Sequence, residues 1–329
     1  MRVNRHSGVF PYTIPEPSSY MWSDDPAPWV LEQWFGLDRF ELTELFRRCG
    51  VGCYRTPNDL GRALLLDSLR GKDRHALPSL PCLGALKGSK PGLERHERLS
   101  ERKSIASGDM RSAYPSFMRE LPSYTAVRLR GWAPDWIRTW YMLCDVSIPV
   151  RLPLGFFPMQ GQAPQLWQRQ PGEYRTWLWK EQRDVGRHLG CFVRPVEGWG
   201  WEELTTDLAE WSGRVIALRE AMPGGRSGKL GDAMKKVANR TIGCLGSGTT
   251  WLQPVKEENA REGDLPLSDP NEPLISDQWG RITRRPRTPV HWQRYCVMRC
   301  SMDTFWRALP YAERDELVRI KVDELEVAA

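Results

Sequence analysis

The chain has 329 residues, which is enough to bury a substantial core as one large domain or as two to three subdomains. Its 47 basic and 41 acidic residues give a net charge of +6, and its 16 tryptophans and nine tyrosines are more ring surface than packing usually recruits; this composition suits nucleic acid but also occurs in unrelated enzymes. No apolar run is long enough to cross a bilayer, no signal-peptide segment begins the chain and the eight cysteines include no C-x-x-C pair, so we expect a soluble, intracellular protein with reduced thiols.

The first third of the chain contains two helical patterns. Residues 1–37 are rich in Pro, Ser and Trp with little periodicity, which predicts an arm outside the core. Apolar residues recur at helical spacing up to Gly50, and a second helix is predicted over 56–70. Residues 71–104 are dense in Lys, Arg, Gly and Pro; they predict a basic loop near the substrate or, equally, a plain surface linker.

The middle of the chain mixes strand and helix patterns. Alternation of apolar and polar residues predicts strands over 124–132 and 140–150. The period of 174–190 predicts a helix, and 191–201 predicts a strand followed by a turn. Residues 201–222 predict a strong amphipathic helix.

A helical hairpin is predicted next. The segment PGGRSG breaks the chain, and 229–246 resumes as a helix, so two helices form a hairpin with glycines at its tip. Residues 253–289 are polar and Pro-rich and predict a loop or small insertion. A helix over 291–309 and a single strand over 316–327 complete the chain, and the layout is mixed α+β.

Cysteine and histidine give little sign of a metal site. The C-x-x-x-C pairs Cys49/Cys53 and Cys296/Cys300 could supply four zinc ligands, but one helical turn with two small apolar residues is the simpler interpretation. The five histidines show no ligand spacing.

Two short patterns carry the functional signal. The stretch SGDMRSAYPSFMRELP isolates Asp109 five positions before Tyr114, where a strand gives way to a turn. Further along, a helix places Lys235, Asn239 and Gly243 on one face. A basic side chain, an amide and a bare backbone patch in line can hold a triphosphate and admit a base pair, although a lysine on a helix is usually just solvated.

Together these patterns resemble a known family. DMRSAYPS, from Asp109, and KKVANRTIG, from Lys235, are similar to motifs A and B of family B DNA polymerases, which run D-x-x-S-L-Y-P-S and K-x-x-x-N-S-x-Y-G. The segments TPNDLGRALL and GEYRTWLWKEQRDVGRHLG resemble the protein-primed phage and mobile-element branch, and the resemblance covers residues 40–329 in motif order. It implies a polymerase palm, an antiparallel sheet with helices, plus helical-hairpin fingers.

The resemblance implies two-metal chemistry at a pair of carboxylates. Asp109 would be the first catalytic and metal-binding residue, and two Mg²⁺ or Mn²⁺ ions are expected as cofactors. The second should lie in a Y-x-D-T-D-S pattern near the C-terminus, where Asp323 matches the second aspartate and Lys321 replaces the first. A competing registration would place Leu325 at the catalytic position and predict a dead site. The nearby Asp303 falls in a helical pattern and is expected to face solvent or cap a turn.

The resemblance also implies a sugar-selecting turn. Tyr114 would pack beneath the incoming sugar and exclude a 2′ hydroxyl, which selects deoxynucleotides. The backbone amides of Arg111, Ser112, Ala113 and Tyr114 would donate to phosphate oxygens.

The fingers helices would hold the rest of the nucleotide. Arg219 and Lys235 would grip the triphosphate, with Lys229 as a helper, and Asn239 would pack against the nascent base pair. Where the family has an aromatic ring, this sequence has Ile242, which implies an altered fidelity or nucleotide affinity. The serine of motif B is likewise replaced, by arginine.

The motif order divides the chain into four parts. These are an N-terminal arm and helix over 1–52, a first palm part with motif A over 53–150, a fingers-side insertion with the fingers helices and motif B over 151–252, and a second palm part with motif C over 253–329. No D-x-E proofreading element precedes motif A, and no thumb follows motif C.

The function that the resemblance implies is template-directed DNA synthesis from a primer 3′ end in a bacterial or phage-infected cell. The expected partners are primer-template DNA and deoxynucleoside triphosphates, together with a terminal protein or a separate thumb polypeptide, and no membrane. Two alternatives stay open: a catalytically inactive nucleic-acid-binding protein derived from the same scaffold, and an unrelated α+β enzyme with a chance motif.

Overall fold

Two four-stranded sheets, all of whose strand pairs are antiparallel, organise the protein, with helices packed around them. This agrees with the α+β class predicted from the sequence. The structure, a computed structural model, describes residues 35–51, 57–69, 95–96, 105–109, 112–123, 126–158, 168–247, 275–276, 282–283, 290–314, 316–320 and 324–328.

The first sheet pairs two strands that lie just before helix α3 (Ala113–Phe117) in the sequence with two strands that follow the last described helix. Its strand order is β1 (Arg95–His96), β11 (Leu317–Ile320), β12 (Glu324–Ala328) and β2 (Ile105–Asp109). The single closing strand predicted over 316–327 is wrong, because the chain reverses and pairs Ile320 with Leu325 as a hairpin. The loop predicted over 71–104 is also interrupted, since β1 pairs with β11 and covers an edge that would otherwise be exposed.

The second sheet has the order β4 (Val127–Arg130), β7 (Phe192–Trp201), β5 (Thr139–Ile148) and β6 (Gly172–Trp179). Strands β4 and β5 lie where the alternation of apolar and polar residues predicted them. The strand predicted after Gly190 is β7, but it continues to Trp201, so the turn predicted at its end is wrong.

Strand β6 corrects a predicted helix. The helix expected over 174–190 is strand β6 followed by the shorter helix α4 (Lys180–His188). The rings explain the difference: Tyr141 stacks on Trp177 of the neighbouring strand at 5.2 Å between centroids, and Trp177 stacks on Trp199 at 5.7 Å. Cross-strand aromatic pairs of this kind stabilise a sheet, and periodicity within one segment does not reveal them.

Most predicted helices are present. They are α1 (Arg39–Cys49), α2 (Pro57–Ser68), α5 (Ala209–Ala221), α6 (Lys229–Ser247) and α7 (Val290–Glu313), with a short α3 (Ala113–Phe117) after β2. Helix α1 begins with an Asp38–Glu41 capping box and ends at Gly50, which is left-handed with φ 65°.

The helix predicted over 201–222 begins later than expected. Leu204–Thr205 forms β8, which pairs with β3 (Leu121–Pro122), and the chain turns before α5 because Thr205 Oγ1 accepts from the Asp207 amide at 3.2 Å. Within the predicted insertion over 253–289, β9 (Ile275–Ser276) and β10 (Ile282–Thr283) form a two-stranded ladder.

Helices α5 and α6 form the predicted hairpin, with a 3₁₀ turn at Gly225–Ser227 between them. The turn needs glycine, since Gly224 and Gly225 have φ of 78° and 63°. Helices α1 and α2 hold the hairpin in place. Arg214 of α5 donates hydrogen bonds to Asp67 Oδ2 in α2 at 2.7 Å and to the Cys49 carbonyl oxygen in α1 at 2.9 Å.

Tryptophan side chains form much of the core. Trp140, Trp201, Trp211 and Trp292 are among the largest fully buried side chains. The abundance of rings that suggested nucleic acid is therefore largely explained by packing. The predicted arm also needs correction at its end: Phe35 is buried and packs edge-on against Phe46 at 5.8 Å, while residues 1–34 lie outside the described residues.

Cys49 of α1 and Cys296 and Cys300 of α7 are buried. In the part of the chain that the structure describes, no group of three His, Cys, Asp or Glu residues is arranged to hold a metal ion. Cys53 lies outside that part. No described helix is long and apolar enough to span a membrane.

The packing of α2 on α6 generates a stability prediction. A Cβ atom added at Gly61 would meet the Thr241 side chain, whose Cβ is 3.0 Å away, and the Val237 carbonyl oxygen at 3.1 Å. Overpacking of this kind costs about 1–3 kcal/mol, against about 1 kcal/mol gained from helix propensity. We therefore expect Gly61→Ala to lower the free energy of unfolding measured with urea.

Gly213 in α5 is the matched control, because nothing lies within 4 Å of a Cβ added there. Gly213→Ala should stabilise the protein by up to about 1 kcal/mol. Equal stability of the two variants would contradict the close α2–α6 packing.

Candidate active site

An open cleft lies where the turn after β2 meets the α5–α6 hairpin. It brings together residues from three separate segments of the chain. They are Ser112, Ala113, Tyr114 and Pro115 from the turn and α3, Val215, Ile216 and Arg219 from α5, and Lys235, Ala238 and Asn239 from α6.

Ser112, the N-cap residue of α3, has an unusual backbone conformation. With φ 51° and ψ 40° it is the non-glycine residue with positive φ in the described part of the chain. Such a conformation costs about 1–3 kcal/mol and clusters at functional sites. The Ser112 Oγ is also buried without a hydrogen-bond partner among the described residues. A strained residue with an unsatisfied hydroxyl group, lining a cleft, is a candidate contact for a polar ligand.

Helix α3 is too short to be stable alone and is held from both sides. Ser212 of α5, which is fully buried, donates its hydroxyl proton to the Pro115 carbonyl oxygen. Cys296 of α7 donates from Sγ to the Tyr114 carbonyl oxygen at 3.3 Å. These contacts fix the turn that carries Tyr114, whose half-buried ring packs against the core and lines the cleft.

Two cationic side chains and one amide line the opposite wall. Arg219 comes from α5, and Lys235 and Asn239 lie one turn apart on α6. All three are only partly exposed. Cations at the edge of a concave, partly desolvated site interact more strongly with an anion than cations on open surface. The cleft can therefore hold an anionic ligand.

Two residues named from the sequence are not among those that line the cleft. Lys229 has its Nζ 3.1 Å from Glu41 Oε1, and its side chain is 72% exposed. Ile242 is buried in the core, although it lies one turn from Ala238 and Asn239 on the same face of α6. Arg111 lies outside the described residues.

The predicted carboxylate pair can be followed through the sheet register. Strand β12 pairs with β2 over five residues, and Glu324 lies opposite Asp109. Asp323, which precedes Glu324, and Lys321 lie outside the described residues, so their role stays a prediction. Asp303 is in α7, where it forms an ion pair with Arg307 at 2.7 Å, as expected for a residue on an exposed helix face.

A buried carboxylate behind the cleft had no signal in the sequence. Glu181 of α4 accepts hydrogen bonds from Tyr295 at 2.7 Å and from Thr139 at 3.1 Å. Arg299 lies over the Tyr295 ring at 5.7 Å and over Phe117 of α3 at 5.8 Å. The cluster therefore connects the second sheet with the helix that carries Tyr114. Burial raises the pKa of Glu181, and the two hydroxyl donors only partly oppose that shift.

Solved structures with a similar fold are DNA polymerases. The phi29 DNA polymerase in complex with primer-template DNA and incoming nucleotides superposes with a TM-score of 0.64 at 12% identity, covering 87% of this chain and 51% of that chain. Its binary complex with primer-template DNA gives 0.63 at 12% identity, covering 88% and 50%. Its complex with single-stranded DNA gives 0.59 at 14% identity, with the same coverage.

These matches establish the fold. The protein has the mixed helix and antiparallel-sheet fold of the phi29 polymerase structures, and it spans about half of their length. No protein-family model and no curated protein matches the sequence.

The pKa shift of Glu181 generates a prediction. Because its pKa in the folded state is above the ordinary value of 4.5, the folded state binds more protons than the unfolded state as pH rises past 4.5. The contribution of Glu181 to the free energy of unfolding is therefore full below pH 4.5. It is lost as the pH rises through the folded-state pKa of Glu181. Glu181→Gln keeps an acceptor oxygen for Tyr295 but does not titrate, so its stability relative to wild type should increase from pH 4 to pH 8 in urea unfolding.

Glu197→Gln is the control, since Glu197 is exposed and only 3.4 Å from Arg128 in a surface ion pair. Its stability relative to wild type should change little over the same pH range. Parallel pH profiles for wild type and Glu181→Gln would show that Glu181 is ionised at little cost in the folded protein.

Proposed function

We propose that this protein is a template-directed DNA polymerase that adds deoxynucleotides to a primer 3′ end, built from a palm and helical-hairpin fingers of the family B type. One observation carries the proposal. The cleft unites the turn after Asp109 with Arg219, Lys235 and Asn239, residues that the motif resemblance selected from separate parts of the chain. The phi29 fold supports the same conclusion.

The nucleotide would enter with its triphosphate between the turn and the hairpin. The first amides of a helix have no intrahelical acceptor, so those of Ala113 and Tyr114 can donate to phosphate oxygens. Arg219 and Lys235 face them across the cleft and would neutralise the phosphate charge. Asn239, one turn further along α6, would then lie near the base, and the Tyr114 ring near the sugar.

The paired strands β2 and β12 would supply the metal site. Asp323 directly precedes Glu324, the residue of β12 that pairs with Asp109. Carboxylate oxygens are the ligands that Mg²⁺ and Mn²⁺ prefer, so Asp109 and Asp323 would together hold two such ions. When bound, the ions would polarise the primer hydroxyl and the triphosphate. The competing registration is less suitable, because Leu325 pairs with Gly108 and packs against the core.

The domain boundaries and partners are part of the proposal. Residues 53–150 and 253–329 would form the palm, residues 151–252 the fingers side, and residues 1–52 an N-terminal segment. Primer-template DNA and deoxynucleoside triphosphates would be the substrates, and a terminal protein or a separate thumb polypeptide would complete primer binding.

One sequence feature favours a second function. Lys321 stands where the family's motif C has its first aspartate. A cation there would weaken metal binding, and a protein that keeps a basic cleft without catalysis would bind nucleic acid only. The alternative is therefore an inactive nucleic-acid-binding protein on the same scaffold.

Substitution of the two aspartates separates these functions. Asp109→Asn and Asp323→Asn should each reduce primer extension with Mg²⁺ or Mn²⁺ at least about a hundredfold, because each removes a charge from the metal site. DNA binding measured by fluorescence anisotropy should be retained. Asp303→Asn, which removes an exposed carboxylate on α7, is the matched control and should extend primers as wild type does. Wild-type protein that binds DNA and extends nothing would establish the inactive alternative.

The placement of two lysines on α6 gives a second test. Lys235→Gln should raise the KM for deoxynucleotides by about tenfold to a hundredfold, since a hydrogen bond to a charged group contributes about 1.5–3 kcal/mol. Lys229→Gln is matched in chemistry and helix, but Lys229 pairs with Glu41 outside the cleft, so its KM should stay within about twofold of wild type. Steady-state single-nucleotide incorporation measures both. A larger effect at Lys229 than at Lys235 would contradict the assignment of the cleft.

A further inference from the structure

Two tryptophan rings are exposed on the loop between β4 and β5. Trp132 and Trp136 are each 56% exposed, while Trp140, a few residues further on, is buried. Large rings that stay in water instead of joining a core are a marker of binding surfaces when they occur together and are held in place.

The loop that carries these rings is well anchored. The Gly131 amide donates to the Val196 carbonyl oxygen at 2.7 Å, and the Arg138 amide donates to the Trp201 carbonyl oxygen at 2.9 Å. Between them, Ile137 is buried. The rings are thus presented on a fixed backbone, which reduces the entropy lost on binding.

A contact of its ring with an arginine also orients Trp132. The Arg183 guanidinium of α4 lies over the Trp132 ring at 6.0 Å and over the buried Trp140 ring at 5.4 Å. Arg183 therefore lies between an exposed and a buried indole. Trp132 is backed on one side by this contact, and more than half of its surface remains available to a ligand.

Arginines flank the two rings. Arg128 and Arg130 of β4 and Arg138 at the end of the loop are exposed, and Asp135 is the acidic residue within the same segment. Arg128 pairs with Glu197 at 3.4 Å, but both side chains are well exposed, so the pair is weak and can exchange for a phosphate. The segment therefore carries two exposed rings between exposed cations.

We propose that this ring surface, made of Arg128, Arg130, Trp132, Trp136 and Arg138, binds single-stranded DNA, specifically the unpaired part of the template. Unpaired bases stack on aromatic side chains while a basic surface follows the phosphates, and both features are present here. A duplex hides its base faces and would leave the two rings without a partner. A protein interface usually has a contiguous apolar centre, whereas here Asp135 lies between the two rings in the sequence and exposed arginines flank them.

The inference deepens the proposed function and rests on it for the identity of the strand as template. The ring surface and the cleft belong to one packed unit, because α4 contributes Arg183 to the first and Glu181 to the cluster behind α3. A template held at the surface would therefore keep a fixed relation to the nucleotide site.

The test measures binding of fluorescein-labelled oligo(dT) by anisotropy. Trp132→Ala and Trp136→Ala should each weaken binding at least about fivefold, as expected for the loss of one base–ring stack. Trp132→Phe keeps a ring and should retain most of the affinity. Phe192→Ala removes an equally exposed ring from the start of β7 and is the matched control, which should bind as wild type does.

The arginines make a separate electrostatic prediction. For Arg128→Gln/Arg130→Gln, the slope of log affinity against log salt should decrease by about 1.4, the value for two phosphate contacts on a single strand. Arg307→Gln on α7 is the control for removal of an exposed arginine and should keep the wild-type slope. Unchanged affinity and slope in the ring-surface variants would overturn the proposal.

Three further measurements distinguish the ways in which the proposal can fail. Primer extension on a template with a long 5′ overhang should show a raised KM for DNA in Trp132→Ala/Trp136→Ala, with no such change on a template that has one unpaired base. An equal change on both templates would exclude the template strand as the occupant.

If the double variant binds oligo(dT) as wild type does but abolishes self-association in sedimentation, the surface is a protein interface and the proposal is wrong. Loss of extension in Asp109→Asn with normal oligo(dT) binding tests the polymerase function alone.

Discussion

The pairing of β12 with β2 is the constraint on which the proposed catalytic centre depends. Five consecutive residue pairs run without a register shift from Glu324 opposite Asp109 to Ala328 opposite Ile105. A slip of one residue would reverse the face of every side chain in β12, so the register determines what stands beside Asp109. The β11–β12 ladder, in contrast, contains an irregularity between Leu317 and Arg319, which lies opposite Val327 and Glu326 and not at the Glu324 end of β12.

The cleft itself depends on helix packing rather than on the sheet. Helix α3 has five residues and takes its position from Ser212 and Cys296, which belong to α5 and α7. The α5–α6 hairpin is in turn held by α1 and α2 through Arg214. A movement of the hairpin would therefore pull on the Pro115 carbonyl group and change the shape of the turn. The two walls of the cleft are mechanically connected, and the strained Ser112 lies at the connection.

Sequence reasoning worked where one segment determines its own structure. Helices α1, α2, α6 and α7 have long apolar periods or clear caps, and they lie where they were expected. It failed where a distant partner decides, as at β6, whose rings pair with Tyr141, and at the closing hairpin. Arg219 came from motif resemblance alone, whereas the helical spacing of Lys235 and Asn239 had already indicated a triphosphate-binding face. The buried Glu181 gave no signal, because only its tertiary neighbours distinguish it from a solvated helix glutamate.

The departures from the family motifs can now be weighed separately. Ile242 replaces a ring of motif B, but its side chain is 2% exposed and packs in the core, whereas Ala238 and Asn239 line the cleft. Ile242 lies one turn from these residues on the same face of α6, so an aliphatic side chain there affects how α6 packs directly beside the cleft. The expected loss of a stacking surface at the nucleotide stays a prediction. Lys321 is a different case, since a cation beside a proposed metal pair would act through its charge. Under the proposed function, Lys321 would therefore affect metal binding, whereas Ile242 would affect the fit of the nucleotide.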